Sequence, residues 1–389
     1  MEKVRFGIVG IGNQGSHYNL RFFDEGKVKN GIVTAMCDIN PAKIEAMKKA
    51  TKNKDAVYFE DYRKMLDSGL CDAVLVDVPH YLHCEIVREC IEREINVLCD
   101  KPAGVFSSEV RKTNEFAKGK KALFGMMFNQ RTNHMYRKIK DMISGGELGK
   151  IQRIVWVITD WFRSQAYYNS GSWRATWGGE GGGVLINQCP HQLDLLQWVV
   201  GEMPKKVSAF CHLGKWHDIE VEDDVTAYLE YESGATGVFI TTTGEYPGCN
   251  RLEISGSLGK IICEGGKLIF RKNKEDTIDF TKNTDITFGG PGYDEIEIPT
   301  EGNGPQHEGV LNNFANAVLG KEKLFVEGTD GINGVILMNA IELSGWLGGK
   351  SVELPIDENL YEKLLKEHIE NSKINKSGTD IISDTSGTF

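Results

Sequence analysis

Short apolar runs alternate with amphipathic stretches through the first third of the chain. The apolar runs cover residues 4–9, 32–37, 73–78, 96–99 and 122–124. Helical patterns lie between them, including residues 41–50, which begin with Pro41, and residues 80–93. This alternation is typical of parallel strands joined by crossover helices. The pattern therefore predicts a doubly wound parallel sheet over residues 1–126.

The pattern changes after Met126. One helix is predicted over residues 131–144, and strand-like segments follow at residues 151–160, 224–231, 236–243, 251–255, 261–263 and 267–270. Glycine-containing turns connect several of them, which favours antiparallel pairing. Two more helices are predicted over residues 306–319 and 330–347. We expect an α+β domain with a large, mainly antiparallel sheet over residues 127–371, and a polar tail over residues 372–389 that packs poorly or docks on a neighbouring subunit.

Composition and charge narrow the class of partner. The 389 residues exceed what one hydrophobic core usually serves, which agrees with two domains. No apolar run is long enough to cross a bilayer, and a net charge of −10 argues against binding to nucleic acid, so a small molecule is the expected partner. The nine cysteines show no CxxC pairing, and the N-terminal segment lacks the regions of a signal peptide. We expect reduced thiols in a cytoplasmic protein.

A glycine-rich turn follows the first apolar run, with the sequence Gly10-Ile11-Gly12-Asn13-Gln14-Gly15. In a GxGxxG pattern between a strand and a helix, the first glycine permits a tight turn, the second lets the backbone approach a pyrophosphate, and the third lets the helix pack closely on the strand. The helix N-terminus offers N–H donors and a positive dipole to phosphates. The segment predicts a dinucleotide site of the Rossmann type; a glycine-rich turn without a ligand is the alternative.

Asp38 follows the second apolar run, at the distance where an acidic residue binds the adenosine ribose of NAD. Its carboxylate would repel the 2′-phosphate of NADP. The next residues, Ile39-Asn40-Pro41, offer no arginine to bind that phosphate. The sequence therefore favours NAD over NADP, and the alternative is that Asp38 only caps the next helix.

Lys101 lies in the segment Cys99-Asp100-Lys101-Pro102, at the end of the run over residues 96–99. Ligands of doubly wound sheets bind at this carboxyl edge. A cation there can stabilise the alkoxide that develops as hydride leaves an alcohol carbon, and Pro102 fixes the local backbone. The alternative is a solvated surface lysine.

Several motifs in this order resemble the Gfo/Idh/MocA family of NAD(P)-dependent oxidoreductases. Besides the glycine-rich turn, they are Val78-Pro79-His80-Tyr81-Leu82-His83, Asp100-Lys101-Pro102, Gly181-Gly182-Gly183 with His191 and Asp194, Asn312-Asn313-Phe314 with Gly328, and Ser351-Val352-Glu353-Leu354-Pro355. The resemblance covers nearly the whole chain. It implies an NAD-binding Rossmann domain, a C-terminal α+β domain and action on a hydroxyl group of a substrate that varies widely within the family.

The resemblance also implies roles for individual residues. Lys101 matches the family's Glu-Lys-Pro lysine and is expected near the substrate hydroxyl and the nicotinamide ribose, with Asp100 in place of the usual glutamate. His191 is the candidate general base, since the ordinary pKa of imidazole lies near working pH. Asn187 stands where the family's polyol and inositol dehydrogenases carry aspartate, which argues against a simple inositol dehydrogenase. We expect Asn187 and His191 to share one face of a helix over residues 187–199.

Two further motif residues are expected near the cofactor. Pro79 and His83 match the family's Thr-Pro-Asn-x-x-His segment, whereas Val78 and His80 replace its threonine and asparagine. We interpret His80 as a residue that starts a helix.

The segment between Asp160 and Gly183 is rich in aromatic residues, which are Trp161, Phe162, Tyr167, Tyr168, Trp173 and Trp177, with Arg163, Arg174 and Glu180 interleaved. Aromatic faces bind the apolar faces of sugar rings while charged groups fix hydroxyls, so the segment predicts a carbohydrate platform. Packing under loops or at a subunit contact is the alternative. Trp173 and Arg174 are the preferred substrate contacts.

Asp194 and His307 complete the predicted substrate contacts. Asp194 is expected at the rim of the site or in a hydrogen bond to a neighbouring helix. His307 begins the helix over residues 306–319, which similar family members place close to the substrate pocket; a surface position is the alternative. Nothing in the set matches zinc-ligand spacing, so no metal is expected.

The leading hypothesis is an NAD-dependent dehydrogenase that oxidises a secondary hydroxyl of a sugar, glycoside or related polyol to a ketone, or catalyses the reverse reduction. A redox-neutral, NAD-dependent glycoside-cleaving enzyme and a non-catalytic NAD or sugar sensor are the alternatives. Lys101 and His191 argue against the sensor, because a pure binder needs no positioned base. We expect a homo-oligomer, a dimer or tetramer, that forms through the C-terminal sheet.

Overall fold

A computed structural model describes residues 3–372, which fold into two sheets with helices packed on them. The strands in this range are β1 (Val4–Val9), β2 (Gly31–Cys37), β3 (Val57–Phe59), β4 (Ala73–Val76), β5 (Asn96–Cys99), β6 (Phe124–Met126), β7 (Ile151–Ile158), β8 (Lys206–Leu213), β9 (Glu222–Glu230), β10 (Thr236–Thr242), β11 (Asn250–Gly256), β12 (Gly259–Glu264), β13 (Lys267–Asn273), β14 (Tyr293–Ile298) and β15 (Val352–Glu353).

The helices of the same range connect and cover these strands. They are α1 (Asn13–Tyr18), α2 (Pro41–Ala50), α3 (Tyr62–Asp67), α4 (His83–Glu92), α5 (Ser107–Ala117), α6 (His134–Ser144), α7 (Gln165–Tyr168), α8 (Val184–Asn187), α9 (Pro190–Val200), α10 (Thr277–Asn283), α11 (Gln306–Val318), α12 (Gly331–Trp346) and α13 (Glu358–Glu370). None of these helices has the length and apolarity needed to cross a membrane. Apart from Ser372, the predicted polar tail lies outside the described residues.

The first sheet has the strand order β3-β2-β1-β4-β5-β6 and all its strands are parallel. Its central strands are buried on both faces, and all four residues of β4 are inaccessible to solvent. The order reverses between β1 and β4, and ligands of such sheets bind in the crevice at the carboxyl ends of these strands. The predicted doubly wound parallel sheet is confirmed.

The second sheet has the order β14-β13-β12-β11-β7-β10-β9-β8-β15, and its strands pair antiparallel except for β7 with β10. Helix α12 packs against β8 and β15 of this sheet, and α9 packs on α12. Along β7 and β10 the buried Trp156 and Phe239 alternate with the half-buried Val155, Val157 and Ile240. The sheet therefore has one covered and one open face, as expected of antiparallel sheets, and the predicted large, mainly antiparallel sheet is confirmed.

The predicted helix over residues 187–199 is confirmed from Pro190 onward, but it is not continuous with Asn187, because the helix is interrupted at residues 188 and 189. Helix α8 ends at Asn187 and α9 begins at Pro190. Proline has no N–H for a helical hydrogen bond and disfavours helical geometry in the residue before it; that residue, Cys189, has φ −101° and ψ 9°. Asn187 and His191 therefore belong to two short, consecutive helices. Their relative position depends on tertiary packing and not on the spacing of one helix.

Helix α13 joins the two domains. Its Glu358 accepts a hydrogen bond from Ser107 at 2.9 Å and pairs with Arg111 at 3.0 Å, and both partners lie on α5 of the first domain. Its other face packs on α12, where the ring of Tyr361 stacks on Trp346 with centroids 5.1 Å apart. The relative placement of the domains is therefore supported from the C-terminal side as well as by the direct connection after β6.

Candidate active site

The glycine-rich turn joins β1 to α1 at the crevice of the parallel sheet. Gly10 has a φ of +90°, and a Cβ there would lie 1.8 Å from the carbonyl oxygen of Asp77. A Cβ at Gly15 would lie 2.0 Å from the carbonyl oxygen of Gly10. A Cβ at Gly12, by contrast, would meet only the Nζ of Lys43 at 4.0 Å. The turn is thus packed against β4 on one side and open at its second glycine, which fits the approach of a pyrophosphate.

Asp38 points toward this turn from the end of β2. It is buried, and its carboxylate accepts hydrogen bonds from the backbone N–H of Ile11 at 3.1 Å and of Asn40 at 2.9 Å. The cap of α2 is Asn40, whose side chain accepts a hydrogen bond from Ala42 N–H at 2.9 Å. Capping of α2 therefore does not account for Asp38, and its position beside the glycine turn fits a ribose contact.

The segment after β4 packs against the loop that carries Lys101. Pro79 is exposed, and the buried His83 begins α4. The Nδ1 of His83 lies 2.7 Å from the carbonyl oxygen of Pro102, and its Nε2 lies 2.8 Å from that of Val78. Both ring nitrogens therefore contact the backbone, and His83 joins the loop after β4 to the loop that carries Lys101.

Lys101 follows β5 and reaches across to the second domain. Its Nζ donates a hydrogen bond to the carbonyl oxygen of Asn187 at 3.1 Å. The Asp100 carboxylate accepts from the Lys101 N–H at 2.9 Å and from the Tyr18 hydroxyl at 3.3 Å. Burial and the neighbouring Asp100 hold the pKa of Asp77 well above its usual range. Lys101 thus lies at the carboxyl edge of the parallel sheet and contacts α8, while the preceding Asp100 contacts α1.

His191 lies in the first turn of α9, with its ring 6.3 Å from that of Phe128. Its Nδ1 is buried and has no hydrogen-bond partner among residues 3–372. Burial, with the nearby Lys101 cation and His307, holds the pKa of His191 well below its usual range. The ring is therefore neutral at neutral pH, and its Nδ1 has an unused capacity for a hydrogen bond.

Two side chains of the aromatic segment form one hydrogen-bonded group with Asn187, and the Trp173 ring lies beside them. Arg174 donates to the Tyr167 hydroxyl at 2.9 Å, and that hydroxyl donates to the Oδ1 of Asn187 at 3.1 Å. The guanidinium of Arg174 lies 4.7 Å from the ring centroids of both Tyr167 and Trp173. The Trp173 ring lies 6.1 Å from that of His80. The segment thus contacts Asn187, the residue whose carbonyl oxygen binds Lys101.

Other aromatic residues of the segment serve packing. Trp177 is 2% exposed, and its ring contacts Trp346 and His368 with centroids 5.6 Å and 4.9 Å apart. Tyr168 is buried and its hydroxyl lies 2.7 Å from the Oγ1 of Thr243. The segment therefore combines both interpretations: part of it faces the site, and part of it belongs to the core.

Two family models match the chain. The model described as "Oxidoreductase family, NAD-binding Rossmann fold" matches residues 4–128, and the "GFO/IDH/MocA C-terminal domain" matches residues 136–262. Together these matches span more than half of the sequence. The chain belongs to the Gfo/Idh/MocA family. Its N-terminal domain is an NAD-binding domain and the protein is an oxidoreductase, as the sequence predicts.

Known members of the family support this assignment. Myo-inositol 2-dehydrogenase of Thermotoga maritima is 25% identical over 270 residues, which cover 67% of this chain and 75% of that protein. The rhizopine catabolism protein MocA of Rhizobium meliloti is 26% identical over 204 residues, 52% of this chain and 59% of that protein. The WlbA dehydrogenase of Chromobacterium violaceum, crystallised with NADH and UDP-GlcNAcA, matches with a TM-score of 0.77 and 25% identity, over 92% of this chain and 97% of that one.

Asp194 and His307 have different surroundings. Asp194 is buried and pairs with Arg131 through two hydrogen bonds of 2.6 Å and 2.8 Å. That pairing matches the helix-to-neighbour alternative, and it directs the carboxylate to Arg131 instead of a substrate. His307 is buried in the first turn of α11, where burial, His17 and Lys101 lower its pKa to about 3. It lies within electrostatic reach of both Lys101 and His191.

Two buried carboxylates of the site were not among the predicted site residues. Glu180 contacts Asn187 and the backbone of Ala175, and Glu222 of β9 accepts hydrogen bonds from Gly183 N–H at 2.8 Å and Leu185 N–H at 3.1 Å. Burial raises the pKa of Glu222 to about 7. The sequence signal for Glu180 was a single acidic residue within an aromatic segment, and Glu222 lies 39 residues from the glycine it contacts.

No group of three or more histidine, cysteine, aspartate or glutamate side chains within the described part of the chain is arranged to hold a metal ion. The nine cysteines are free thiols and seven of them are buried.

Proposed function

We propose that the protein is an NAD-dependent dehydrogenase that oxidises a secondary hydroxyl of a pyranose-type sugar or glycoside to a ketone, or catalyses the reverse reduction. The observation that carries the proposal is the placement of Lys101. This cation leaves the cofactor domain at the crevice of the parallel sheet and binds the carbonyl of Asn187, four residues before His191. Lys101 is also within electrostatic reach of His191, which supports a cation from one domain and an acid–base residue from the other at a single site.

The cofactor domain supplies the redox chemistry. The residues that would hold NAD are the glycine-rich turn with Asn13 and Gln14, Asp38, and the edge formed by Pro79 and Lys101. When bound, NAD accepts or returns the hydride. The open side of the turn at Gly12 and the Asp38 carboxylate beside it fit a pyrophosphate and a ribose.

Lys101 and His191 divide the proton and charge work. An ammonium group has three donors, and the described residues take one of them at the Asn187 carbonyl, so two can bind the substrate oxygen. Lys101 then stabilises negative charge on that oxygen. The neutral ring of His191 accepts the hydroxyl proton during oxidation and returns it during reduction. The Lys101 cation repels a protonated His191 ring and so opposes this proton transfer. The negative charge that develops on the substrate oxygen offsets the repulsion.

The substrate class follows from the segment around Trp173. A ring with an apolar face and several hydroxyls suits an indole beside a guanidinium, and Tyr167 and Asn187 add hydrogen-bonding groups. One relative is a myo-inositol 2-dehydrogenase and another was crystallised with the nucleotide sugar UDP-GlcNAcA, which supports a ring with several hydroxyls as the substrate. Asn187 in place of aspartate distinguishes this chain from the family's inositol dehydrogenases.

A substrate panel tests the proposal. Free sugars, polyols, glycosides and nucleotide sugars are incubated with the protein and NAD, and formation of NADH is followed by its near-ultraviolet absorbance, with the corresponding ketones and NADH for the reverse direction. At least one sugar or glycoside should reduce NAD. The proposal fails if no panel member exchanges hydride in either direction, or if a glycoside is cleaved with no net change in NADH.

A further inference from the structure

Glu180 is a buried carboxylate at the end of the aromatic segment, in contact with Asn187 of α8. It is 2% exposed and directly precedes the three glycines at positions 181–183. One carboxylate oxygen accepts a hydrogen bond from the backbone N–H of Ala175 at 2.6 Å, and the other accepts from the Nδ2 of Asn187. Its own carbonyl oxygen lies 3.1 Å from the Nδ1 of His80. All three of its oxygens therefore contact residues around the pocket.

The contact with Ala175 holds an unusual backbone conformation. Ala175 is a non-glycine residue with a φ of +50°, in the left-handed region that side chains disfavour. It directly follows Trp173 and Arg174. The Glu180 carboxylate therefore fixes the turn from which these two side chains project.

The contact with Asn187 sets the direction of a hydrogen-bond chain. A carboxylate only accepts, so the amide nitrogen of Asn187 must face Glu180 and its Oδ1 must face the Tyr167 hydroxyl. At the other end, Arg174 only donates and does so to the same hydroxyl. Between these ends, the Tyr167 hydroxyl and the Asn187 amide can each donate or accept. The Nε2 of Gln188 donates to both, at 3.2 Å and 2.9 Å, and the fixed ends leave the two groups one arrangement.

We propose that Glu180 is a positioning residue of the hydride-transfer site, which fixes the Asn187 amide and the Trp173–Arg174 turn so that the pocket presents a single pattern of donors and acceptors to the substrate. This inference rests on the proposed function, since it concerns the same pocket. Asn187 occupies the family's aspartate position. In this chain the negative charge that an aspartate would bring there lies instead on the neighbouring residue Glu180.

Several neighbours of Glu180 favour a charged acceptor. Burial raises the pKa of Glu180, and the Arg174 cation, the Ala175 N–H, the Asn187 amide and the Lys101 cation oppose this rise. Glu222 is the acidic group that faces it, and the hydroxyl groups of Tyr167 and Tyr168 are also within electrostatic reach.

Exchanging the amide and the carboxylate tests the assignment. In Glu180→Gln, one carbonyl oxygen must serve both Ala175 and Asn187; if it serves Ala175, the Asn187 amide has to rotate and reverse its hydrogen bond to Tyr167. We expect kcat/KM for a substrate from the panel to fall about 100-fold, the scale of a misplaced pocket group, with the affinity for NADH unchanged. The loss should be mainly in kcat.

The double variant Glu180→Gln with Asn187→Asp should recover activity. The introduced glutamine can then accept from Ala175 N–H and donate to the introduced aspartate, which accepts from the Tyr167 hydroxyl, so the direction of the chain is restored. We expect kcat/KM within about tenfold of the wild-type value. Asn187→Asp alone places two carboxylates together, and should be impaired with a pH profile shifted to lower pH, where one of them is protonated.

Glu220→Gln is the matched control. One carboxylate oxygen of Glu220 accepts a hydrogen bond from the backbone N–H of Trp177 at 2.9 Å, and Trp177 lies two residues after Ala175 in the same loop. The other carboxylate oxygen of Glu220 contacts Ser372 at 2.5 Å. It should keep kcat/KM within about threefold of the wild-type value.

A second test compares melting temperatures and needs no substrate. It uses the wild type, Glu180→Gln, Asn187→Asp and the double variant of these two changes. The double variant should melt at a higher temperature than the sum of the two single changes predicts.

The outcomes separate this inference from the proposed function. Activity of Glu180→Gln within about threefold of the wild type, or additive effects in the kinetic cycle, overturns the positioning role. If no panel member turns over, the proposed function fails, and the melting cycle alone decides the Glu180 link: coupling of the two changes supports the chain of contacts, and strict additivity overturns it.

Discussion

At the scale of single residues, Lys101 and His191 carry the proposed chemistry. Replacement of either by alanine should lower turnover about 100-fold or more, because a charge-stabilising cation or a general base is lost. Binding of NADH, followed by fluorescence titration, should survive in both variants. The kcat of each variant on a substrate from the panel is the measurement.

The control for this pair is His212→Ala, because His212 is an exposed histidine on β8. Its turnover should equal that of the wild type. Near-normal turnover of Lys101→Ala or His191→Ala would remove that residue from the mechanism.

Asp38 should set the preference between the two nicotinamide cofactors. Its carboxylate lies beside the glycine turn and should repel a 2′-phosphate, so the protein should bind NADH more tightly than NADPH. Asp38→Asn keeps the shape and removes the charge, and should weaken this discrimination. Fluorescence titration with both cofactors measures it, and Asp276→Asn, which changes a helix cap on α10, is the control. A wild-type preference for NADPH would contradict the assignment.

The sequence reveals residues of this kind when their signal is local. The glycine turn, Asp38 and Lys101 each follow a recognisable strand, so their place at one sheet edge follows from the topology of parallel sheets. Glu180 has no such signal, because its importance depends on a bend at Ala175 and on a helix end at Asn187. Asp194 shows the same limit: its burial against Arg131, 63 residues away, cannot be deduced from its spacing to His191.

At the scale of elements, the loop between β7 and α8 should separate into a binding part and a packing part. Trp173→Ala and Arg174→Ala should each lower kcat/KM about tenfold, the scale of one aromatic or polar contact worth about 1.4 kcal/mol, with unchanged melting temperature. Trp177→Ala, the matched change in the core part, should cost about 3–5 kcal/mol of unfolding free energy. Steady-state kinetics and thermal melting distinguish them. A large loss of stability in Trp173→Ala with normal kinetics would favour packing.

The turn before α8 should make stability depend on pH. Glu222 holds this turn, and its pKa is raised from about 4.5 to about 7 by burial. The folded state therefore binds more protons than the unfolded state between these values, so the Glu222 contribution to unfolding free energy falls as pH rises through that window, by up to about 1.4 kcal/mol per pH unit.

Glu222→Gln cannot titrate, so the difference in unfolding free energy between wild type and variant isolates this contribution. The difference should shift against the wild type from about pH 5 to about pH 7 and level off above. Denaturant unfolding at several pH values measures it. A difference independent of pH would show that Glu222 keeps an ordinary pKa.

Periodicity predicts most elements but not every boundary. The helix over residues 41–50 is confirmed, because Asn40 and Pro41 give its start an explicit local signal. The helix predicted over residues 187–199 begins three residues too early, because periodicity alone does not include the effect of Pro190 on the residues before it. Strands β3, β8, β14 and β15 went unpredicted. Two of them are very short, with three residues in β3 and two in β15, and β14, YDEIEI, is almost wholly exposed and acidic at the edge of its sheet.

At the scale of the whole molecule, the open face of the nine-stranded sheet predicts self-association. Tyr228, Val238 and Val155 lie side by side on β9, β10 and β7, and Phe210 on β8 is 59% exposed. A contiguous apolar surface of this kind is typical of subunit interfaces.

The pair of changes Tyr228→Arg and Val238→Arg should therefore convert an oligomer to smaller species. Light scattering coupled to gel filtration gives the mass. Phe288→Arg, at a residue 93% exposed outside this face, should leave the mass unchanged. A wild-type protein that is monomeric at micromolar concentration would contradict the expected interface.

The position of α13 has a consequence for the order in which the molecule is made. Trp177 packs against His368, and Glu220 contacts both Trp177 N–H and Ser372, so the core of the aromatic loop is built partly from the last described turn of the chain. During synthesis, the residues proposed to bind the cofactor leave the ribosome well before residues 358–372. A nascent chain can therefore fold its dinucleotide domain early. The loop that carries Trp173 cannot form its packing contacts with α13 until this helix has been synthesised.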